Sequence, residues 1–117
     1  MQWLCMSHDD AYLLDMLLSA RLIAEYADGL SEEQLRASQL HQDAIIRRLE
    51  IIGEAARQVS QTTRGAHPAI EWAKITGMRN RLAHDYRSID MDVVWIVVVR
   101  EIPTLIAYLQ HIADLQP

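Results

Sequence analysis

Five apolar residues, Ile45, Leu49, Ile52, Ala56 and Val59, recur at spacings of four, three, four and three. That period draws one stripe down an α-helix and does not fit a strand, where residues on one face are two apart. The spacing predicts a helix from about Ser38 to Ser60, with Arg47, Arg48, Glu50 and Arg57 off the stripe. Such a helix is stable only when other elements cover it, so a multi-helix bundle is the first expectation. Gly53 lies inside this helix, where glycine costs roughly 1 kcal/mol relative to alanine. Close approach of another helix is the expected compensation.

The rest of the chain reads the same way. A first helix is expected over His8–Ala27, with Leu14, Leu17, Leu18 and Leu22 as its apolar face, ended by Gly29. Ser31-Glu-Glu-Gln34 has the form of a capping box for a second helix. Gln61–Gly65 reads as a polar loop. His67-Pro68 restarts the chain into a short helix over Ala69–Ile75, with Gly77 as a bend before helical turns over Met78–Asp85. Asp90 is the expected N-cap of a last helix. Val93–Val99 alone favours a strand, but Val94, Val98, Ile102, Leu105, Leu109 and Ile112 continue a helical stripe far beyond it. Pro103 removes a backbone hydrogen bond within that helix and is expected to kink it. The fold class is therefore all-α, a bundle of four to five helices in one domain spanning residues 1–117. Residues 1–6 are expected to form a disordered leader, with Met6 an alternative start before Ser7-His-Asp-Asp10.

Composition narrows the function. The 117 residues are 50% apolar, enough for a helical core without cross-links. No apolar run is long enough to span a bilayer, and no secretory signal opens the chain, so the expected location is the cytoplasm. A single cysteine, Cys5, allows neither an internal disulfide nor a thiolate zinc site. The net charge of −5 argues against an extended nucleic-acid-binding surface. The basic residues are nonetheless uneven, with Arg79, Arg81 and Arg87 close together.

Other candidates for chemistry fall away. His8, His41, His67 and His111 are scattered without metal-ligand spacing and are expected at the surface. No Gly-rich phosphate loop is present. Trp72, Trp95 and Tyr108 sit on helical stretches and read as core. What remains is Arg79-Asn80-Arg81-Leu82-Ala83-His84-Asp85-Tyr86. Histidine can take the proton from a ribose 2′-hydroxyl. Arginine can hold a phosphate and offset charge developing on its oxygens. Asparagine can orient either group. Together they suit phosphodiester cleavage with no metal and no other cofactor, because RNA carries its own nucleophile. If the segment were fully helical, Asn80 and His84 would share a face, while Arg79 and His84 would diverge by about 140°. A symmetric dimer would bring two copies of the segment together. On spacing alone, the same residues suit a solvated salt-bridge face with His84 at a helix end.

Arg79-(four residues)-His84-x-Tyr86, with Asn80 after the arginine, resembles the R-x4-H-x-Y signature of HepT-like proteins, a branch of the HEPN superfamily. Arg47–Ala56 (RRLEIIGEAA), His67–Trp72 (HPAIEW), Val94-Trp95 and Ile102-Pro103 resemble other signatures of that family, in the same order and over nearly the whole chain. The resemblance implies a HEPN-type helical bundle acting as a homodimer, with a ribonuclease site at the subunit interface. Arg79, Asn80 and His84 would be the catalytic residues, and Arg81 and Arg87 would supply RNA phosphate contacts. It also implies the toxin of a toxin–antitoxin pair, leaving 2′,3′-cyclic phosphate ends. A partner MntA-like nucleotidyltransferase antitoxin would silence it by transferring AMP from ATP onto Tyr86. The other open reading is a non-catalytic interaction or substrate-binding subunit of a nucleotidyltransferase complex.

Overall fold

A computed structural model describes residues 8–85, 88–112 and 115. The expected leader (residues 1–6), Tyr86 and Arg87 lie outside the described residues.

The described chain is helical throughout, apart from short connections and one isolated β-bridge. Its elements are α1 (His8–Ala27), α2 (Glu32–Ala37), α3 (Gln39–Gln58), α4 (Gln61–Ala66), α5 (Trp72–Thr76), α6 (Met78–Leu82), α7 (Met91–Ile96), a π-helical turn (Val97–Glu101) and α8 (Ile102–Leu109). The all-α bundle holds, and it contains a short helix, α4, where Gln61–Gly65 reads as a loop. Ser60 accepts from the Thr63 backbone N–H and starts α4 there. Arg64 in α4 then donates to the Ala56, Arg57 and Val59 carbonyls at the end of α3.

The capping box at Ser31 and Gln34 is present in both directions. Gly29 follows α1 with φ of 73°, a left-handed conformation that glycine adopts without steric cost. Asp90 caps α7 by accepting from the Asp92 and Val93 backbone N–H groups.

α1 and α3 pack along one another as the central pair, α8 covers α1, and α5 and α6 lie on α3. The α3 stripe is buried as its spacing predicts, from Ile45 at 0% to Val59 at 3% exposure. On α1 the buried face is rotated from the expected one. Leu13, Met16, Leu17, Ala20 and Ile23 are buried, whereas Leu18 is 43% exposed. α1 is apolar around so much of its circumference that periodicity could not choose the face, and packing against both α3 and α8 does so.

The disturbance expected at Pro103 takes the form of the π-helical turn. Backbone angles stay helical at Val97 and Ile102, where it meets α7 and α8. The wider turn makes room for the proline ring and its missing N–H. The Thr104 hydroxyl donates to the Arg100 carbonyl, satisfying one acceptor in the disturbed region.

Gly53 has the neighbour it was expected to need. A Cβ there would lie 3.1 Å from the Ile75 carbonyl oxygen and 3.5 Å from the Met78 Cβ. The α5–α6 junction therefore rests directly on the α3 backbone. Among the described residues, no helix is long and apolar enough to cross a membrane.

Candidate active site

α6 is short and anchored at both ends. Met78 and Leu82 are buried at 2% and 1% exposure, and they turn Arg79 and Asn80 toward solvent. Helical geometry stops at Leu82. Ala83 is extended (φ −70°, ψ 123°) and forms an antiparallel bridge with Ile89. Around it, the Asp90 N–H donates to the Leu82 carbonyl at 2.6 Å and the His84 N–H to the Ser88 carbonyl at 3.0 Å. The Ser88 N–H donates to Asp85 Oδ1 at 3.1 Å. This hairpin-like turn corrects the expected helix over Met78–Asp85. Pairing with the segment before α7 satisfies the backbone groups that continued helix would have used. Asn80 and His84 are thus not helical neighbours, and the 140° divergence of Arg79 from His84 has no basis.

The turn fixes the backbone at His84 while leaving its side chain exposed and without a hydrogen bond to any described residue. Arg79 and Asn80 are exposed as well, and no hydrogen bond or ion pair joins any two of Arg79, Asn80 and His84. The one ionic neighbour of Arg79 among the described residues is Glu50 on α3, with Nε 3.8 Å from Oε2. Tyr86 and Arg87 lie outside the described residues.

Arg81 is placed differently. Its guanidinium donates from Nη1 and Nη2 to the two carboxylate oxygens of Glu101, at 2.9 and 2.5 Å, and both side chains are 25% exposed. These hydrogen bonds hold the Glu101 carboxyl below the ordinary carboxylate range, outweighing the opposing effect of burial, and raise Arg81 further. Arg81 thus ties α6 to the π-helical turn, and its fork is occupied by protein rather than open to an incoming phosphate. Glu101 gave no local signal in sequence, since twenty residues separate it from Arg81. The same is true of Glu50 and Arg79.

The histidines divide. His8 and His111 are exposed as expected, but His41 and His67 are half-buried. His67 Nδ1 lies 3.1 Å from the Tyr108 hydroxyl, with the rings edge to face. Trp72 is also half-buried, donating from its indole N–H to the His67 carbonyl beneath the Arg64 guanidinium. These side chains join α4, α5 and α8 and leave His67 committed to structure. Among the described residues, no three His, Cys, Asp or Glu side chains gather as metal ligands.

An open groove of about 1170 Å³ runs between α5, with Met78 at the start of α6, and the π-helical turn and α8. Ile70, Ile75, Met78 and Leu105 line it, with Lys74, Arg100, Glu71 and Glu101 among its charged groups. Ile96 at its border and Val99 nearby are 45% and 44% exposed.

The family model described as ribonuclease HepT-like matches residues 16–112. A Thermococcus cleftensis protein named "Probable ribonuclease HepT" is 37% identical over 99 residues, covering 85% of this chain and 89% of its own. "Putative RNase MJ1380" of Methanocaldococcus jannaschii is 34% identical over 95 residues, covering 81% and 87%. "Putative RNase TTE0752" of Caldanaerobacter subterraneus is 33% identical over 94 residues, covering 80% and 84%. No solved structure matches the chain.

Proposed function

The chain belongs to the ribonuclease HepT-like family, with the all-helical bundle of the HEPN superfamily, and on that premise we propose that it is a metal-independent endoribonuclease using Arg79, Asn80 and His84. The observation that carries this is a contrast within one short segment. Arg81 is locked to Glu101, whereas Arg79, Asn80 and His84 are exposed and held on a pinned backbone. Asn80 and His84 make no side-chain hydrogen bond to a described residue, and Arg79 has only the ionic neighbour Glu50 at 3.8 Å, which leaves its terminal nitrogens available.

The chemistry follows from the residue types. His84 takes the proton of a ribose 2′-hydroxyl, and the resulting oxygen attacks the adjacent phosphorus. Arg79 offsets the negative charge that builds on the non-bridging oxygens, and Asn80 orients phosphate or imidazole. The bond from phosphorus to the 5′ oxygen breaks, leaving a 2′,3′-cyclic phosphate and, once that oxygen is protonated, a 5′-hydroxyl. The bound state is a homodimer whose site combines groups from two chains. The groove next to α6 supports this, being lined by apolar side chains and bordered by the exposed Ile96, with Val99 nearby, a surface that a two-fold copy can cover.

In the cell the domain acts in the cytoplasm as the toxin of a toxin–antitoxin pair. Its antitoxin is an MntA-like nucleotidyltransferase that moves AMP from ATP onto Tyr86. Phosphate and adenine two residues from His84 would repel and block RNA phosphate, which accounts for silencing.

The test is cleavage of a single-stranded RNA by purified protein in EDTA, with the product ends identified. Wild type is expected to leave cyclic phosphate ends, and His84→Ala to lose at least about a hundred-fold in rate. Full activity in His84→Ala ends the proposed chemistry. A wild type that neither cleaves RNA nor harms cells when expressed alone would favour a non-catalytic subunit of a nucleotidyltransferase complex.

A further inference from the structure

We propose that Glu50 is a positioning residue for Arg79, drawing the Nε edge of the guanidinium toward α3 by charge so that its two terminal nitrogens stay available to an incoming RNA phosphate. The inference rests on the reading of Arg79 as a phosphate-binding group and adds a residue that the R-x4-H-x-Y signature does not contain.

Three side-chain positions on α3 carry the argument. Glu50, Gly53 and Arg57 are spaced three and four apart and form one row along the helix, separate from the buried stripe. That row meets the α5–α6 junction along its length. Arg57 donates from Nη1 to the Thr76 carbonyl at 3.1 Å. Gly53 admits the Ile75 carbonyl and Met78 to within contact of the α3 backbone. Glu50, one turn earlier, lies opposite Arg79, the residue after Met78. The close approach at Gly53 therefore brings the first turn of α6 against the only carboxylate in the row.

The pairing is one-sided. Oε2 of Glu50 lies 3.8 Å from Nε, an ion-pair distance rather than a hydrogen bond, and neither terminal nitrogen of Arg79 donates to a described residue. Glu50 is 28% exposed on a twenty-residue helix, while Arg79 is 69% exposed on a five-residue one. The less exposed partner, on the longer helix, thus biases the more exposed one. An arginine free in solvent samples many rotamers and must be ordered when substrate binds, whereas a carboxylate beside Nε biases it toward rotamers that leave the bidentate fork open. Glu101 shows the contrasting arrangement, since it occupies both terminal nitrogens of Arg81 and closes that fork.

Glu50 also places a negative charge near the phosphate site, which gives the proposal a signature that a structural role lacks. Glu50→Gln should lower kcat for RNA cleavage about ten-fold or more through loss of orientation. KM should stay level or fall, because a repulsive charge has gone. The melting temperature should be nearly unchanged. In an Arg79→Lys background the same substitution should change the rate less than about two-fold, since an ammonium has no separate edge to hold. Glu50→Asp, which keeps the charge but withdraws it from a contact already at 3.8 Å, should be as slow as Glu50→Gln.

Wild-type kcat in Glu50→Gln or Glu50→Asp overturns the proposal, as does a loss that tracks melting temperature or raises KM. An equal loss in the Arg79→Lys background does so as well. Arg79→Ala separates the two layers of inference. If it cleaves normally, the reading of Arg79 itself fails; if it is inactive while Glu50→Gln is normal, only the positioning role fails.

Discussion

Gly53 is the residue where fold and candidate site meet. Replacing it with alanine adds a helix-favouring side chain, worth roughly 1 kcal/mol in an open helix. Here the new Cβ would sit 3.1 Å from the Ile75 carbonyl, a backbone atom that cannot swing aside as a flexible side chain would. The expected outcome is a net destabilisation of up to about 2 kcal/mol, the roughly 1–3 kcal/mol cost of overpacking less the roughly 1 kcal/mol of propensity, read from urea unfolding. The displaced α5–α6 junction should also slow RNA cleavage more than the stability loss explains. A variant more stable than wild type would show that the contact yields freely. A glycine inside a helix is itself the sequence signal of a close approach. It does not say which element approaches, because that partner lies more than twenty residues further along.

The elements were legible to different degrees. Ser31, Ser38 and Asp90 cap helices through bonds to residues two or three positions away, so local sequence suffices to place those starts. The end of α6 is not local in that sense. Leu82 and His84 are hydrogen-bonded to Asp90 and Ser88 on either side of the Ala83–Ile89 bridge, and those bonds end the helix earlier than its composition suggests. α6 is then tied to the π-helical turn by Arg81 and Glu101. Glu101 is held below its ordinary pKa in the fold, so the stability it contributes is present above its unfolded pKa, about 4.3. That contribution is lost as pH falls through the lower, folded value. Glu101→Gln should therefore be less stable than wild type near neutral pH, with the gap closing as the solution is acidified below about pH 4. A gap that is constant with pH, by chemical unfolding at several pH values, would remove the ionic account. Asp9 acts with the same sign, since the Ser60 and Thr63 hydroxyls donate to its carboxylate and lower its pKa.

At the scale of the whole molecule, the proposed dimer makes a separable prediction. Arg79→Ala and His84→Ala chains should each be inactive alone. Mixed after unfolding and refolded together, random pairing makes half the dimers heterodimers, each with one intact composite site. About a quarter of wild-type activity should return. No recovery would mean that each site draws both groups from one chain. Charged substitutions at Ile96 and Val99, exposed beside the groove, should lower the dimer fraction by light scattering without unfolding the monomer.

Helix class, most caps, the α3 stripe and the stretch holding the candidate site were determined by sequence alone, because each depends on residues within a few positions of one another. The resemblance to the HepT-like family came from the same short motifs. Tertiary structure alone decided which face of α1 is buried, where α6 ends, and which arginine of RNRLAHDY is engaged. Arg79 and Arg81 are the same residue type two positions apart, and nothing in their neighbourhood distinguishes them. Glu101 occupies the fork of one and Glu50 leaves the fork of the other open. Both partners come from distant helices, and only packing brings a carboxylate to one side of an arginine or the other.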